Sequence, residues 1–194
     1  MDASQVLKQY FGYDSFRKGQ SDIIEAILQG QDALAIMPTG AGKSVCYQVP
    51  AMLLSGITIV ISPLISLMQD QVKSLNEAGI NAAYINSTLS EQQMYKALDY
   101  AAQGKYKIIY VAPERLETMS FMTFAQKADI SMVTIDEAHC ISQWGQDFRP
   151  SYLKIVDFID SLPERPVVSA FTATATSEVK TDIECILKLK SPKL

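Results

Sequence analysis

Apolar residues recur along this chain at two different spacings, and the switching between them predicts its elements. Over residues 4–11, Val6, Leu7, Tyr10 and Phe11 fall on one helical face, and Gly12 supplies the stop. Residues 18–28 repeat that spacing with Ile23, Ile24, Ile27 and Leu28, ending before Gly30. Six later runs are short and rich in Val and Ile, most of them apolar on consecutive positions: 33–37, 57–62, 82–85, 107–112, 132–135 and 167–171. Such runs mark parallel strands buried on both faces. Between them the helical spacing returns over 44–54, 65–78, 91–103, 116–127 and 152–159, with a last helix near 178–187. Ser90 and Gln93 form a capping box for the helix at 91–103. Alternation of strand and helix implies right-handed crossovers, hence an α/β fold with a doubly wound, mainly parallel sheet and helices on both faces. No repeat, low-complexity stretch or internal linker divides residues 1–194, so they read as one domain. The polar tail 188–194, with Pro192, reads as a linker.

Composition narrows the class without naming a chemistry. The 194 residues are 48% hydrophobic and 20% charged, an ordinary globular balance. A chain of this size buries about 70% of its unfolded surface, enough for a full core. The longest clear apolar run, around Ile57–Ile61, is far short of the ~20 residues that span a bilayer. Met1-Asp2-Ala3-Ser4-Gln5 lacks the basic start and apolar stretch of a secretory leader. A soluble intracellular protein without a membrane partner is expected, in the cytoplasm or nucleoid of a bacterium or the nucleus of a eukaryote. Cys46, Cys140 and Cys185 are odd in number and far apart, which suits small thiols in a reducing compartment better than a zinc site or a disulfide framework. The net charge of −4 argues against a module that grips nucleic acid by bulk electrostatics. Any such contact is expected to be local or shared with another part of a larger protein.

The chemistry concentrates at two strand ends. Met37-Pro38-Thr39-Gly40-Ala41-Gly42-Lys43-Ser44 sits where a buried strand turns into a helix. Glycines there let backbone N–H groups close around phosphate oxygens, and the helix start adds partial positive charge. Lys43 is placed to reach the β and γ phosphates of ATP, and the Ser44 hydroxyl to bind Mg²⁺. Met37 stands where the general P-loop pattern begins with Gly, so the strict motif is not matched. The second piece is the apolar strand Val133-Thr134-Ile135 ending in Asp136-Glu137-Ala138-His139. Acids at the carboxyl edge of a parallel sheet face the crevice where such folds bind ligands. Asp136 is placed to hold Mg²⁺ directly or through water, and Glu137 to orient and deprotonate an attacking water. His139, the only histidine, reads as a sensor joining the nucleotide site to a neighbouring element rather than as a metal ligand.

These two motifs together resemble the superfamily 2 helicases, and further stretches narrow the resemblance to the first RecA-like domain of the RecQ family. Phe11-Gly12-Tyr13, Phe16-Arg17 and Gln20 look like its adenine-recognition motif. By that resemblance Tyr13 stacks on the base while Arg17 and Gln20 hydrogen-bond to it, and Thr39, Gly40, Ala41, Gly42, Lys43 and Ser44 cradle the phosphates. Ser62-Pro63-Leu64-Ile65-Ser66-Leu67-Met68-Gln69-Asp70-Gln71, Asn86-Ser87-Thr88 and Ala112-Pro113-Glu114-Arg115 are similar to the family's backbone-contacting loops. Pro63, Ser66, Asn86, Ser87 and Arg115 are then the expected contacts to single-stranded DNA. Residues 140–152 resemble the family's aromatic-rich loop, in which Trp144, Phe148 and Arg149 can stack on unpaired bases. Phe171-Thr172-Ala173-Thr174-Ala175 is similar to motif III, which links ATP state to DNA grip.

The resemblance implies one half of an ATP- and Mg²⁺-dependent DNA helicase that moves 3′-to-5′ and acts on single-stranded and forked duplex DNA. It also implies a second RecA-like domain of the same full-length protein, carrying an arginine finger. No such domain follows here, so the chain reads as a fragment, weakly active or inactive by itself. Two other readings remain open: a nucleotide-dependent interaction module that never turns ATP over, and an RNA helicase or double-strand translocase of the same superfamily. Nothing in the pattern fixes an oligomeric state.

Overall fold

The computed structural model describes residues 1–194. Helix α1 (Ala3–Val6) starts on a capping box in which the Asp2 side chain accepts from Gln5 N–H and the Gln5 side chain accepts from Asp2 N–H. It runs into a wider turn over Leu7–Phe11 and stops at Gly12, whose φ of 76° closes the end in a left-handed conformation that only glycine takes freely. Then come α2 (Gln20–Leu28), β1 (Ala33–Ile36), α3 (Val45–Leu53), β2 (Ile57–Ile61), α4 (Ile65–Glu77) and β3 (Ala82–Ile85). They are followed by α5 (Glu91–Ala102), β4 (Ile108–Val111), α6 (Met119–Lys127) and β5 (Ile130–Ile135). The last are α7 (Lys154–Ser161), β6 (Val167–Thr172) and α8 (Ser177–Ile186). The capping box expected at Ser90 and Gln93 is present in both directions.

Differences from the sequence reading have local causes. Pro113–Arg115 takes one tight 3-10 turn after β4, so α6 begins at Met119 rather than at 116. Another such turn, Pro150–Leu153, precedes α7 and absorbs its expected first residues. The tail is a correction. Residues 188–194 are not a free linker, because Lys193 bridges to Ala33 along the outer edge of β1. Leu34 N–H donates to Lys193 O at 2.8 Å, and Lys193 N–H donates to Asp32 O at 2.8 Å. An exposed strand edge leaves ladder groups unpaired, and this segment covers part of that edge.

All six strands are parallel, in the order β1-β6-β5-β2-β4-β3. Because side chains alternate across a strand, each one serves two layers. Leu34, Ile59, Ile61, Ile109, Val111, Val133, Ile135, Val168 and Ala170 join the core beneath α5–α8. Ala33, Ala35, Val60, Ile108, Tyr110, Met132 and Phe171 join the core beneath α2–α4. Consecutive apolar positions thus mean burial on both faces, as the runs predicted. No helix is long and apolar enough to cross a membrane.

Candidate functional site

Parallel strands send every strand-to-helix loop to one edge of the sheet, and strand order divides that edge in two. β1, β6 and β5 carry the glycine loop, Thr172 and the acid pair. β2, β4 and β3 lead to Pro63 and the first turn of α4 with Ser66, to the tight turn with Arg115, and to the loop with Asn86 and Ser87. Nothing in the linear sequence orders the strands this way.

Gly40 and Gly42 have φ of 85° and 81°, which turns the loop sharply before α3. Gly42 is also crowded: a Cβ there would collide with the Gln20 side-chain amide. Gln20 Nε2 donates to Gly42 O at 3.0 Å, Arg17 Nη1 donates to Gly40 O, and Gln20 Oε1 accepts from Arg17 N–H at 2.7 Å. Arg17 and Gln20 therefore brace the backbone of the glycine loop, while Tyr13 stands exposed near them in sequence.

Lys43 Nζ lies 3.4 Å from Asp136 Oδ1 and 3.6 Å from Glu137 Oε1. Burial raises the pKa of Asp136; the Lys43 ammonium opposes that rise and the Glu137 carboxylate adds to it. Glu137 has φ of 51°, an uncommon conformation for a residue with a side chain, and its N–H donates to Asp136 Oδ1 at 2.9 Å. His139 Nδ1 lies 2.8 Å from Thr172 Oγ1 and 3.5 Å from Glu137 Oε2. Thr172 also accepts from Met37 N–H through its carbonyl at 2.9 Å. One residue of β6 thus touches the start of the glycine loop and the histidine behind the acids. Ser44 opens α3, and its hydroxyl with the Asp136 carboxylate offers the hard oxygen ligands that suit Mg²⁺.

The remaining candidates separate by exposure. Trp144 is 76% exposed, so it does not fold back onto the core, and Phe148 is half-buried. Arg149 pairs with Asp147 at 3.3 Å. Ser66 and Ser87 are exposed, and Pro63 and Arg115 half-buried. Asn86 is the exception and a correction: it is 0% exposed and accepts from both Thr88 N–H (3.0 Å) and Thr88 Oγ1 (2.6 Å). It shapes its loop and does not reach outward.

Two partners had no sequence signal. Tyr152, buried at the end of the aromatic-rich segment, donates to the Asp136 carbonyl at 2.8 Å. Ser142 donates to Asp182 of α8 at 2.6 Å and so staples the start of that segment. The loop bearing Trp144 is in this way tied to the backbone of an acid in the site. A groove of about 930 Å³ between α5 and α6 lies elsewhere, beside Gly56, Lys107 and Asp129 at the opposite edge of the sheet.

Comparison with known proteins agrees with this geometry. The sequence profile described as DEAD/DEAH box helicase matches residues 17–182. The ATP-dependent DNA helicase RecQ of Bacillus subtilis (strain 168) is 55% identical over 182 residues, covering 93% of this chain and 31% of that protein. The protein of the same description from Haemophilus influenzae is 48% identical over 189 residues, covering 97% of this chain and 30% of its own length. The chain thus spans about a third of the length of these relatives. The crystal structure of the Pyrococcus furiosus Hef helicase domain superposes with a TM-score of 0.70 at 19% identity, covering 92% of this chain and 37% of that one, a likeness of fold.

Proposed function

The chain belongs to the DEAD/DEAH box helicase family, and on that premise we propose that it is the ATP-binding half of a RecQ-type DNA helicase. The observation that carries the proposal is the meeting of Lys43 with Asp136 and Glu137 across β6, which builds one site from two distant motifs.

In this reading residues 39–44 wrap the phosphates of ATP with backbone N–H groups, and Lys43 leaves the acids to pair with the β and γ phosphates. Ser44 and Asp136 hold Mg²⁺, which neutralises phosphate charge when bound. Glu137 orients a water in line with the γ-phosphoryl group and takes its proton as the water oxygen bonds to the γ-phosphorus and the bond to the β–γ bridging oxygen breaks, leaving that oxygen on ADP. The strained backbone at Glu137 fixes the direction of that carboxylate. His139, between Glu137 and Thr172, senses the state of the site. Tyr13 stacks on adenine, and Arg17 and Gln20, which also hold the carbonyls of Gly40 and Gly42, hydrogen-bond to the base.

Single-stranded DNA runs over the β2-β4-β3 half of the edge. Pro63, Ser66, Ser87 and Arg115 meet its backbone, and Trp144, Phe148 and Arg149 stack on its bases. The similarity to RecQ proteins supports 3′-to-5′ movement on forked duplexes, an intracellular setting, and a second RecA-like domain closing the other wall of the ATP cleft.

ATP hydrolysis by the full-length parent protein, with and without single-stranded DNA, tests the reading. Glu137→Gln is expected to keep ATP binding and to lower DNA-stimulated turnover about 10²-fold or more. Turnover indifferent to DNA would overturn the assigned DNA path, turnover unchanged by the substitution would overturn the role of Glu137, and nucleotide binding with no turnover at all would favour an interaction module instead.

A further inference from the structure

Between the sheet and helices α2–α4, three buried polar side chains from two elements meet in one cluster, Tyr47 and Gln48 of α3 and Tyr110 of β4. The Tyr47 and Tyr110 hydroxyls lie 3.0 Å apart. Gln48 Nε2 donates to the Tyr110 hydroxyl at 3.0 Å and to Gln71 Oε1 of α4 at 2.8 Å. The Tyr47 ring also sets its edge against Phe171 of β6, with centroids 5.5 Å apart. Burial pushes the Tyr110 hydroxyl up to about 12 and Tyr47 well above its usual range, so both keep their protons.

Each strand or helix in this cluster leads to a different part of the sheet edge. The Tyr47 and Gln48 N–H groups both donate to Ser44 O, at 3.2 and 2.9 Å, so Gln48 sits one turn behind the phosphate loop. Gln71 belongs to the helix whose first turn carries Ser66. Tyr110 lies in the strand that leads to Arg115. A buried hydrogen bond nets only about 0.5–1.5 kcal/mol, and apolar groups of the same shape could fill this space at little cost. What apolar groups cannot do is fix the relative position of three elements directionally.

We propose that Gln48, Tyr110 and Gln71 form a positioning relay that couples phosphate engagement at Lys43 and Ser44 to the DNA-contacting ends of α4 and β4. The relay rests on the function proposed above. A shift of α3 as its N-terminus closes on phosphate pulls Gln48 against both partners, and α4 and β4 follow together.

The test uses the full-length parent protein with Tyr110→Phe, Gln71→Leu and the double variant. ATP hydrolysis is followed against single-stranded DNA concentration, beside basal turnover, the KM for ATP without DNA, and the melting midpoint. Each single change is expected to leave basal turnover and KM within about twofold and to raise the DNA concentration for half-maximal stimulation about fivefold or more. The double variant is expected to be worse than either single one, because Gln48 reaches α4 and β4 through separate bonds. Unchanged DNA activation in the double variant, or basal turnover falling in step with stimulation, would each overturn the relay. If the wild-type protein shows no stimulation by DNA, the functional reading fails first and the relay with it.

Discussion

Asp136 carries its charge where burial opposes charge. Burial raises its pKa, which means that the folded chain without nucleotide holds the ionised form at a cost. Lys43 offsets part of that cost at 3.4 Å, and Glu137 adds to it. Asp136→Asn removes the buried charge and keeps an oxygen to accept from Glu137 N–H. The nucleotide-free variant is therefore expected to melt a few degrees above wild type, while the stabilisation that Mg²⁺–ATP gives the wild type is lost. Differential scanning fluorimetry of both proteins, with and without Mg²⁺–ATP, checks both halves of that statement. A variant that melts lower without nucleotide would show that the Lys43 pair outweighs the burial cost. The same trade of stability for function shows in the backbone of Glu137, held in a conformation that costs about 1–3 kcal/mol.

At the scale of elements, a single carboxylate organises the edge of the sheet opposite the glycine loop and the acid pair. Asp32, buried just before β1, accepts from Arg165 Nη1 at 3.1 Å and Nη2 at 2.6 Å, from Val168 N–H at 3.0 Å and from Lys190 N–H at 2.7 Å. It joins β1, the start of β6 and the tail. Lys188 and Ser191 in that tail have φ of 53° and 43°, so the path along β1 is one the segment takes because it is held. Asp32→Ala leaves Arg165 without its carboxylate and two N–H groups without an acceptor. The expected cost is about 3 kcal/mol in urea unfolding, with early loss of amide protection at Leu34 and Lys193. A change below about 0.5 kcal/mol would mean that the Asp32 carboxylate contributes nothing net to the fold.

Across the whole molecule, strand order places the glycine loop and the acid pair on one half of an edge and the loops of Pro63, Ser87 and Arg115 on the adjoining half, with the loop of Trp144 tied back to Asp136 through Tyr152. Trp144 is the only tryptophan and is exposed, which makes it both a test and a reporter. Its fluorescence is expected to be that of a solvated indole and to be quenched as single-stranded DNA is added to the parent protein. Trp144→Ala is expected to leave stability within about 0.5 kcal/mol and to weaken DNA binding by about 1–3 kcal/mol. Unaltered affinity would remove the aromatic loop from the DNA path. The low cost to stability follows because an exposed ring contributes little to the core.

The sequence by itself determined the strands, the helices between them, the phosphate loop and the acid pair. Each rests on a local signal: consecutive Val and Ile for burial on two faces, glycines for φ values near 80°, a Ser and Gln three apart for a helix start. Local signals ran out where partners are far apart. Asn86 read as a surface contact because a polar triplet after a strand looks alike whether it faces water or folds inward, and only packing turned it inward. His139 meets Thr172 33 residues away, Gln48 meets Tyr110 62 away, and Asp32 meets Lys190 158 away. Such pairs form because the strand order brings their elements together, and that order is chosen by how whole layers bury their apolar faces. No residue carries that choice alone, so only the tertiary structure could decide it.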